Sequence, residues 1–321
     1  MPIQQMLLGA GAASGAGQVD FDDHTTLDYS TTWTVPDGVE KISVLCIGRG
    51  GYKASGYHGG AGGSLAYMNN ITVVPGDVYT IFICGGHSAE DDCTLSPYTN
   101  DERWLVGSQI RWLSGSGHPW RVAAYCGKNH LPGESANAGG YEWSHLSLVH
   151  GTFVENVGGQ GGGSSTSSGW GNTNIYMGGG GGAAGYTGDG GDGDTYGDNY
   201  SAGAGSGGGG GGGHSGWYQD PSGNHDGTAW DGGGGGGVGK YGAGSNGAAG
   251  ASSGYSGTGG SGGTPTSSVA NGNPGAYGGG GAQNHDTGIG TFPTTVGGKG
   301  LVRIIWPGDE RYYPSTGTTD Q

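Results

Sequence analysis

A chain of 321 residues with 84 glycines, 12% charged residues and 10% aromatics has too little side-chain volume for an ordinary packed core, yet too many rings for a flexible linker. Lys+Arg 11 against Asp+Glu 26 gives a formal net charge of −15, which repels phosphate backbones and excludes nucleic acid as an expected partner. No apolar run approaches the roughly 20 residues of a membrane-spanning helix, and the four cysteines contain no C-x-x-C pair of the kind that holds zinc.

Residues 1–18 read as a small-residue tail. Its apolar patch, Met6, Leu7 and Leu8, lacks the basic flank of a secretory signal, so the expectation is assembly in a cytoplasm or release by lysis. The same three residues suit docking of the tail into a groove on another component or a sister subunit.

Strand signals fill residues 19–155. In "TTWTVPDGVEKISVLCIG", Trp33 and Val35 precede a Pro36-Asp37-Gly38 turn, and Ile42, Val44 and Cys46 follow with period two, a hairpin-like pattern. "SLAYMNNITVVPGDVYTIFICGG" predicts two further strands around Pro75-Gly76-Asp77, and "SQIRWLSG" and "WRVAAYCG" two short ones. Cys46 and Cys84 read as small buried hydrophobes; a Cys84–Cys93 or Cys93–Cys126 disulfide stays open on spacing alone. No segment carries a useful 3.6-residue period, so helix is expected to be scarce.

Residues 158–300 hold 58 of the glycines. Glycine recurs every third residue at 179, 182, 185, 188 and 191, at 207, 210, 213 and 216, and at 233, 236, 239 and 242, the period of a left-handed extended helix without internal hydrogen bonds. Side by side, such helices can exchange backbone hydrogen bonds wherever no Cβ intervenes, so that glycine becomes the packing residue. A disordered linker and irregular glycine-rich loops are the alternatives. The final strand, Leu301–Trp306, needs partners, and these are expected before residue 130.

Together these predict an all-β fold: a jelly-roll-like β-sandwich over 19–155, completed by 297–321 and closed by the C-terminal strand, with a polyglycine II bundle inserted at 156–296. The non-glycine stretches 164–177, 192–202, 214–230, 264–274 and 283–296 are then turn loops at the bundle ends, where recognition usually resides. Trp217, Tyr218 and Trp230, with Asp220, Asn224, His225 and Asp226, suit a sugar: rings stack on its C–H face while carboxylates and amides take its hydroxyls. The competing reading is that these rings cover the bundle or a neighbouring subunit. Asp189, Asp192, Asp194 and Asp198 could offer oxygen ligands to calcium, but match neither an EF-hand nor a glycine-aspartate repeat. The two Asn-His-Asp triplets, at 224–226 and 284–286, read as solvated loops. "GAGGSL" and "GGSSTSSG" are the phosphate-loop noise of such a composition. No nucleophile, base and orienting group can be assembled, so neither enzyme activity nor a cofactor is expected.

"TWTVPDGVEKISVLCIGRGG", "VVPGDVYTI", the glycine-rich body and "GKGLVRIIWPG" resemble the glycine-rich domain of bacteriophage virion structural proteins, especially tail-fibre and appendage proteins of cyanophage-like viruses. The excursion is also similar in plan to the polyglycine II adhesins of T-even-like phages, departing from them in its flanking strands and longer acidic loops. The resemblance implies a homo-oligomeric virion component contacting a host surface glycan. A self-assembling fibre or capsid-decoration protein, and a polysaccharide depolymerase with two carboxylates at glycosidase separation, are the alternative readings.

Overall fold

The structure, a computed structural model, describes residues 16–22, 29–51, 58–83, 107–115, 121–127, 153–162, 165–169, 172–195, 201–220, 229–230, 232–251, 255–263, 275–282 and 297–315. Among them there is no helix, and the strands form antiparallel sheets, as the all-β reading expects. One sheet has the order β1 (Gly17–Phe21), β13 (Leu301–Trp306), β3 (Lys41–Ile47), β4 (Leu65–Thr72), β8 (Phe153–Asn156). A second has the order β2 (Tyr29–Thr34), β5 (Val78–Ile83), β6 (Gly107–Ser114), β7 (Arg121–Tyr125).

The two Pro-Gly turns do not close hairpins as the local pattern suggests. Pro36-Asp37-Gly38 carries the chain from β2 in the second sheet to β3 in the first, and Pro75-Gly76-Asp77 carries it back from β4 to β5. The two crossings hold each other, Val35 N–H donating to Asp77 O (2.9 Å) and Gly76 N–H to Val35 O (3.0 Å). Gly76 sits at φ 85°, the left-handed position after proline that only glycine takes without strain. The two short strands expected from "SQIRWLSG" and "WRVAAYCG" form as β6 and β7 and pair with each other. The apolar stripe itself was legible: Trp33, Val35, Ile42, Val44 and Cys46 join Met68, Tyr79, Ile81, Ile110, Val122 and Ile304 in a core shared by both sheets. Burial pushes the Cys46 thiol well above its ordinary range, and Cys126 is buried as well; both candidate disulfides involve Cys93. Cys84 and Cys93 lie outside the described residues.

The C-terminal strand finds its expected early partner: Ile304 stands opposite Val44 on β3. The other face of the first sheet is buried too. Leu45, Ile47, Leu65, Tyr67, Leu301 and Ile305 pack against Ala183, Ala184, Tyr186 and Val238 of the glycine-rich region and against Tyr313. Tyr186 and Tyr313 stack at 5.8 Å between ring centroids, and the Tyr186 hydroxyl donates to Gly239 O (2.9 Å) while accepting from Gly242 N–H (3.1 Å).

The glycine segments are bonded to one another in rotation. Along 179–184, Gly179 and Gly182 donate to Asp194 (3.0 Å) and Gly191 (2.8 Å), Gly180 and Ala183 to Gly233 and Gly236 (both 2.9 Å), and Gly181 and Ala184 to Gly60 (2.9 Å) and Gly63 (3.0 Å). Three consecutive amides therefore point to three different neighbours, and the fourth returns to the first. The carbonyls accept in the same rotation, from Gly162 and Gly159, from Gly213 and Gly210, and from Gly280. The segment thus touches six others, a packing that three residues per turn permits and a flat ladder does not. It leaves no room for side chains: a Cβ on Gly179, Gly180, Gly181 or Gly182 would stand 2.0, 2.2, 2.1 or 2.1 Å from a neighbour's carbonyl oxygen. Residues with side chains, such as Asp189, Asp192, Ala248, Tyr255 and Thr258, occupy exposed positions on the outer segments.

The block does not stop at residue 156. The sheet strands run on into it and keep their neighbours: 48–51 follows β3, 58–64 precedes β4, 157–162 follows β8 and 297–300 precedes β13. Gly50 donates to Gly298 (2.9 Å), Gly51 to Ala61 (2.7 Å) and Gly62 to Gly159 (2.8 Å), repeating the order β13, β3, β4, β8.

Gly182→Ala is predicted to lower unfolding free energy by about 3 kcal/mol or more, since the methyl must displace a main chain and its hydrogen bonds; Ala248→Ser, on the exposed side, should change it by less than ~0.5 kcal/mol. Denaturant titration of both variants checks this. Burial also raises the phenol pKa of Tyr186, Tyr313 and Tyr277. The unfolded chain releases these protons near pH 10 while the folded chain keeps them, so stability should fall as pH rises above about 10. Phenolate absorbance of these rings should then appear only together with cooperative unfolding.

Candidate functional site

Four neighbouring glycine segments change character at one end of the block. Segment 157–162 leads to β9 (Ser165–Gly169), β10 (Asn172–Met177) leads back into 178–184, 209–215 leads to β11 (Gly216–Asp220), and β12 (Ala229–Trp230) leads into 232–237. Gly162 donates to Gly179 (2.7 Å), Gly213 to Gly180 (2.8 Å) and Gly233 to His214 (2.8 Å). The resulting third sheet, β12-β11-β10-β9, has the order its glycine segments already had. Stretch 164–177, expected as a loop, is therefore largely strand, and within 214–230, also expected as a loop, Gly216–Asp220 and Ala229–Trp230 are strands. Once pairing is inherited from the block, the β-branched residues of "NTNIYM" and the rings of "GWYQD" need only alternate to extend it.

Register settles which positions meet. Trp217 stands opposite Trp230 on one side and Tyr176 on the other, and Tyr176 opposite Ser165. This row crosses three strands from Trp230 to Tyr176, about 10 Å at two strand spacings. Two residues on, and so on the same side of the pleat, the next row holds Gln219, Asn174 and Ser167. Tyr218 belongs to the alternate row with Ala229 and Ile175, and Asp220 stands opposite Thr173. The register thus divides the expected positions: Trp217 and Trp230 are cross-strand partners, whereas Tyr218 and Asp220 occupy positions of the alternate row. Tyr176, Asn174 and Gln219 join the tryptophans without having been singled out in the sequence. Asn224, His225 and Asp226, like Met6, Leu7 and Leu8, lie outside the described residues.

The base of the sheet is fastened by a buried carboxylate. Asp194 Oδ2 accepts from Ser215 Oγ (2.6 Å) and Ser215 N–H (3.2 Å) and lies 3.1 Å from His214 Nδ1. A hydrolase triad needs serine and aspartate on opposite ring nitrogens. Here the serine hydroxyl donates its hydrogen bond to the aspartate and approaches the same Nδ1 (3.4 Å), and Ser215 has no exposed surface. The cluster is a fastening between segments 189–194 and 209–215.

The other aspartates behave similarly. Asp189 Oδ1 accepts from Val157 N–H (3.0 Å) and Asp192 Oδ1 from Gln160 N–H (2.7 Å). Three residues apart, they stand in for the missing next carbonyl along segment 157–162. Asp198 lies outside the described residues, and among those described no group of three or more His, Cys, Asp or Glu side chains converges as metal ligands would. No family model and no curated protein matches the chain.

Ser215→Ala should cost about 1–3 kcal/mol, because it leaves a buried carboxylate short of a donor. Millimolar calcium should leave the unfolding midpoint of the native protein unchanged, and a calcium-dependent rise would make ligands of the aspartates instead. Thermal unfolding with and without calcium reads both.

Proposed function

We propose that this chain is a non-enzymatic virion appendage protein, of tail-fibre or adhesin kind, whose third sheet meets a surface glycan. In this reading the two shared-core sheets are a β-sandwich closed by its C-terminal strand. The glycine segments are a polyglycine II bundle that serves as a stiff spacer. The tail, residues 1–18, whose last two residues belong to β1, serves attachment to another virion component or a sister subunit. The phage assignment rests on the motifs "TWTVPDGVEKISVLCIG", "VVPGDVYTI" and "GKGLVRIIWPG".

One observation carries the binding reading: the register Trp230, Trp217, Tyr176, beside a row of Gln219 and Asn174, at the end of a bonded block. Aromatic positions in a line offer stacking to more than one sugar ring, and amides two residues away offer paired donors and acceptors to hydroxyls. Mounting them on strands that continue bonded segments keeps the ordering cost of binding small.

Glycan-array binding tests this. The native protein should bind a defined subset of glycans, and Trp217→Ala with Trp230→Ala should weaken that binding at least tenfold, about 1.4 kcal/mol, with an unchanged unfolding midpoint. Absence of glycan binding by the native protein, or equal binding by the double variant, would reject the reading.

A further inference from the structure

Strand β1 is an edge strand bonded to β13 alone, and its two faces do different work. Val19 and Phe21 pack on the shared core. Gln18 and Asp20 meet buried cations: Arg303 Nη1 donates to both carboxylate oxygens of Asp20 (2.8 Å to Oδ1, 2.9 Å to Oδ2), and Arg303 Nη2 donates to Gln18 Oε1 (3.1 Å). Arg311 donates to the same Gln18 oxygen (2.6 Å) and to Gly17 O (2.6 Å). Lys240, from the glycine-rich region, also donates to Asp20, and Tyr277 to Asp22. Gly17 leaves room for the Trp306 ring, which a Cβ there would approach to 2.3 Å.

Without β1, Arg303 and Arg311 would lose these carboxylate, amide and main-chain acceptors. The edge of β13 is therefore a slot with a strict requirement: glycine, an acceptor, an apolar residue, a carboxylate, an apolar residue, a carboxylate. In a chain of net charge −15, three of the 11 basic residues converge on it. Within the sequence only "GQVDFD", residues 17–22, meets the requirement.

We propose that this slot is an intermolecular acceptor, and that a second copy of this chain supplies its strand: β1 of one copy seats against β13 of the next. The occupant is fixed by charge and pattern complementarity, which an identical chain satisfies by construction. β1 is also the element best placed to leave, with residues 1–15 before it, one ladder partner, and only residues 23–28 joining it to β2 in the other sheet. Strand addition at a sheet edge and exchange of an identical element between protomers are established routes to assembly. Such a head-to-tail contact builds rings or filaments. This proposal is independent of the glycan reading.

Val19 and Ile304 are direct register partners, so cysteines at these positions report who donates the strand. Full-length Val19→Cys and Ile304→Cys chains are unfolded and refolded together at high concentration and oxidised, and linked peptides are identified by mass spectrometry. The proposal expects a 19–304 disulfide between chains, and expects Asp20→Asn in the Val19→Cys chain to cut its yield at least tenfold. The chain carrying both cysteines controls for folding and reactivity. A 19–304 link formed in that chain but absent between mixed chains at every concentration would overturn strand exchange. An Asp20→Asn yield equal to that of the parent would overturn recognition through the carboxylate.

Discussion

The constraint on which the structure depends is that every buried amide must find an acceptor, met here in a region without side chains to bury. A main chain turning once every three residues presents successive N–H groups in three directions, and each must meet the carbonyl of another segment. Gly179 to Ala184 satisfy that demand with three donor and three acceptor neighbours. The same contacts explain the composition, because with neighbouring carbonyls about 2 Å from where a Cβ would stand, glycine is the residue of closest packing. The high entropic cost of ordering glycine is offset by cross-bonding of whole segments, so the block holds as a unit.

This constraint also organises the sheets at its ends. Strands β13, β3, β4 and β8 enter the block without exchanging neighbours, and segments leading to or from β9, β10, β11 and β12 leave it the same way. A two-neighbour ladder and a six-neighbour lattice use the same amides, so the chain passes between them while keeping its neighbours. Alanines and Tyr186 enter where the block rests on the first sheet, and the aspartates of 189–194 finish edges where no further carbonyl is at hand.

What could be read from the sequence follows from how local each signal is. The stripe Trp33, Val35, Ile42, Val44, Cys46 and the need of Leu301–Trp306 for an early partner are properties of short stretches, and the structure bears both out. Which sheet follows Pro36-Asp37-Gly38 is decided by long-range pairing, and there the hairpin reading failed. The third sheet was hidden because "STSSG" and "NTNIYM" have weak strand character by themselves; their pairing comes from glycine neighbours tens of residues away. The meeting of Trp217 with Trp230 and Tyr176, and of Asp194 with Ser215, is equally a matter of register. Gln18 and Asp20 gave no sign of their role, since Arg303 and Arg311 lie some 280–295 residues further on.

The central claim, that cross-bonded bare main chain makes a rigid block, is most directly measured by amide hydrogen–deuterium exchange with fragment-level resolution over residues 178–184, 209–214 and 232–237. Protection comparable to that of β3 and β13, lost only on global unfolding, is the predicted result. Exchange of these glycines within seconds while β3 and β13 remain protected would contradict the account.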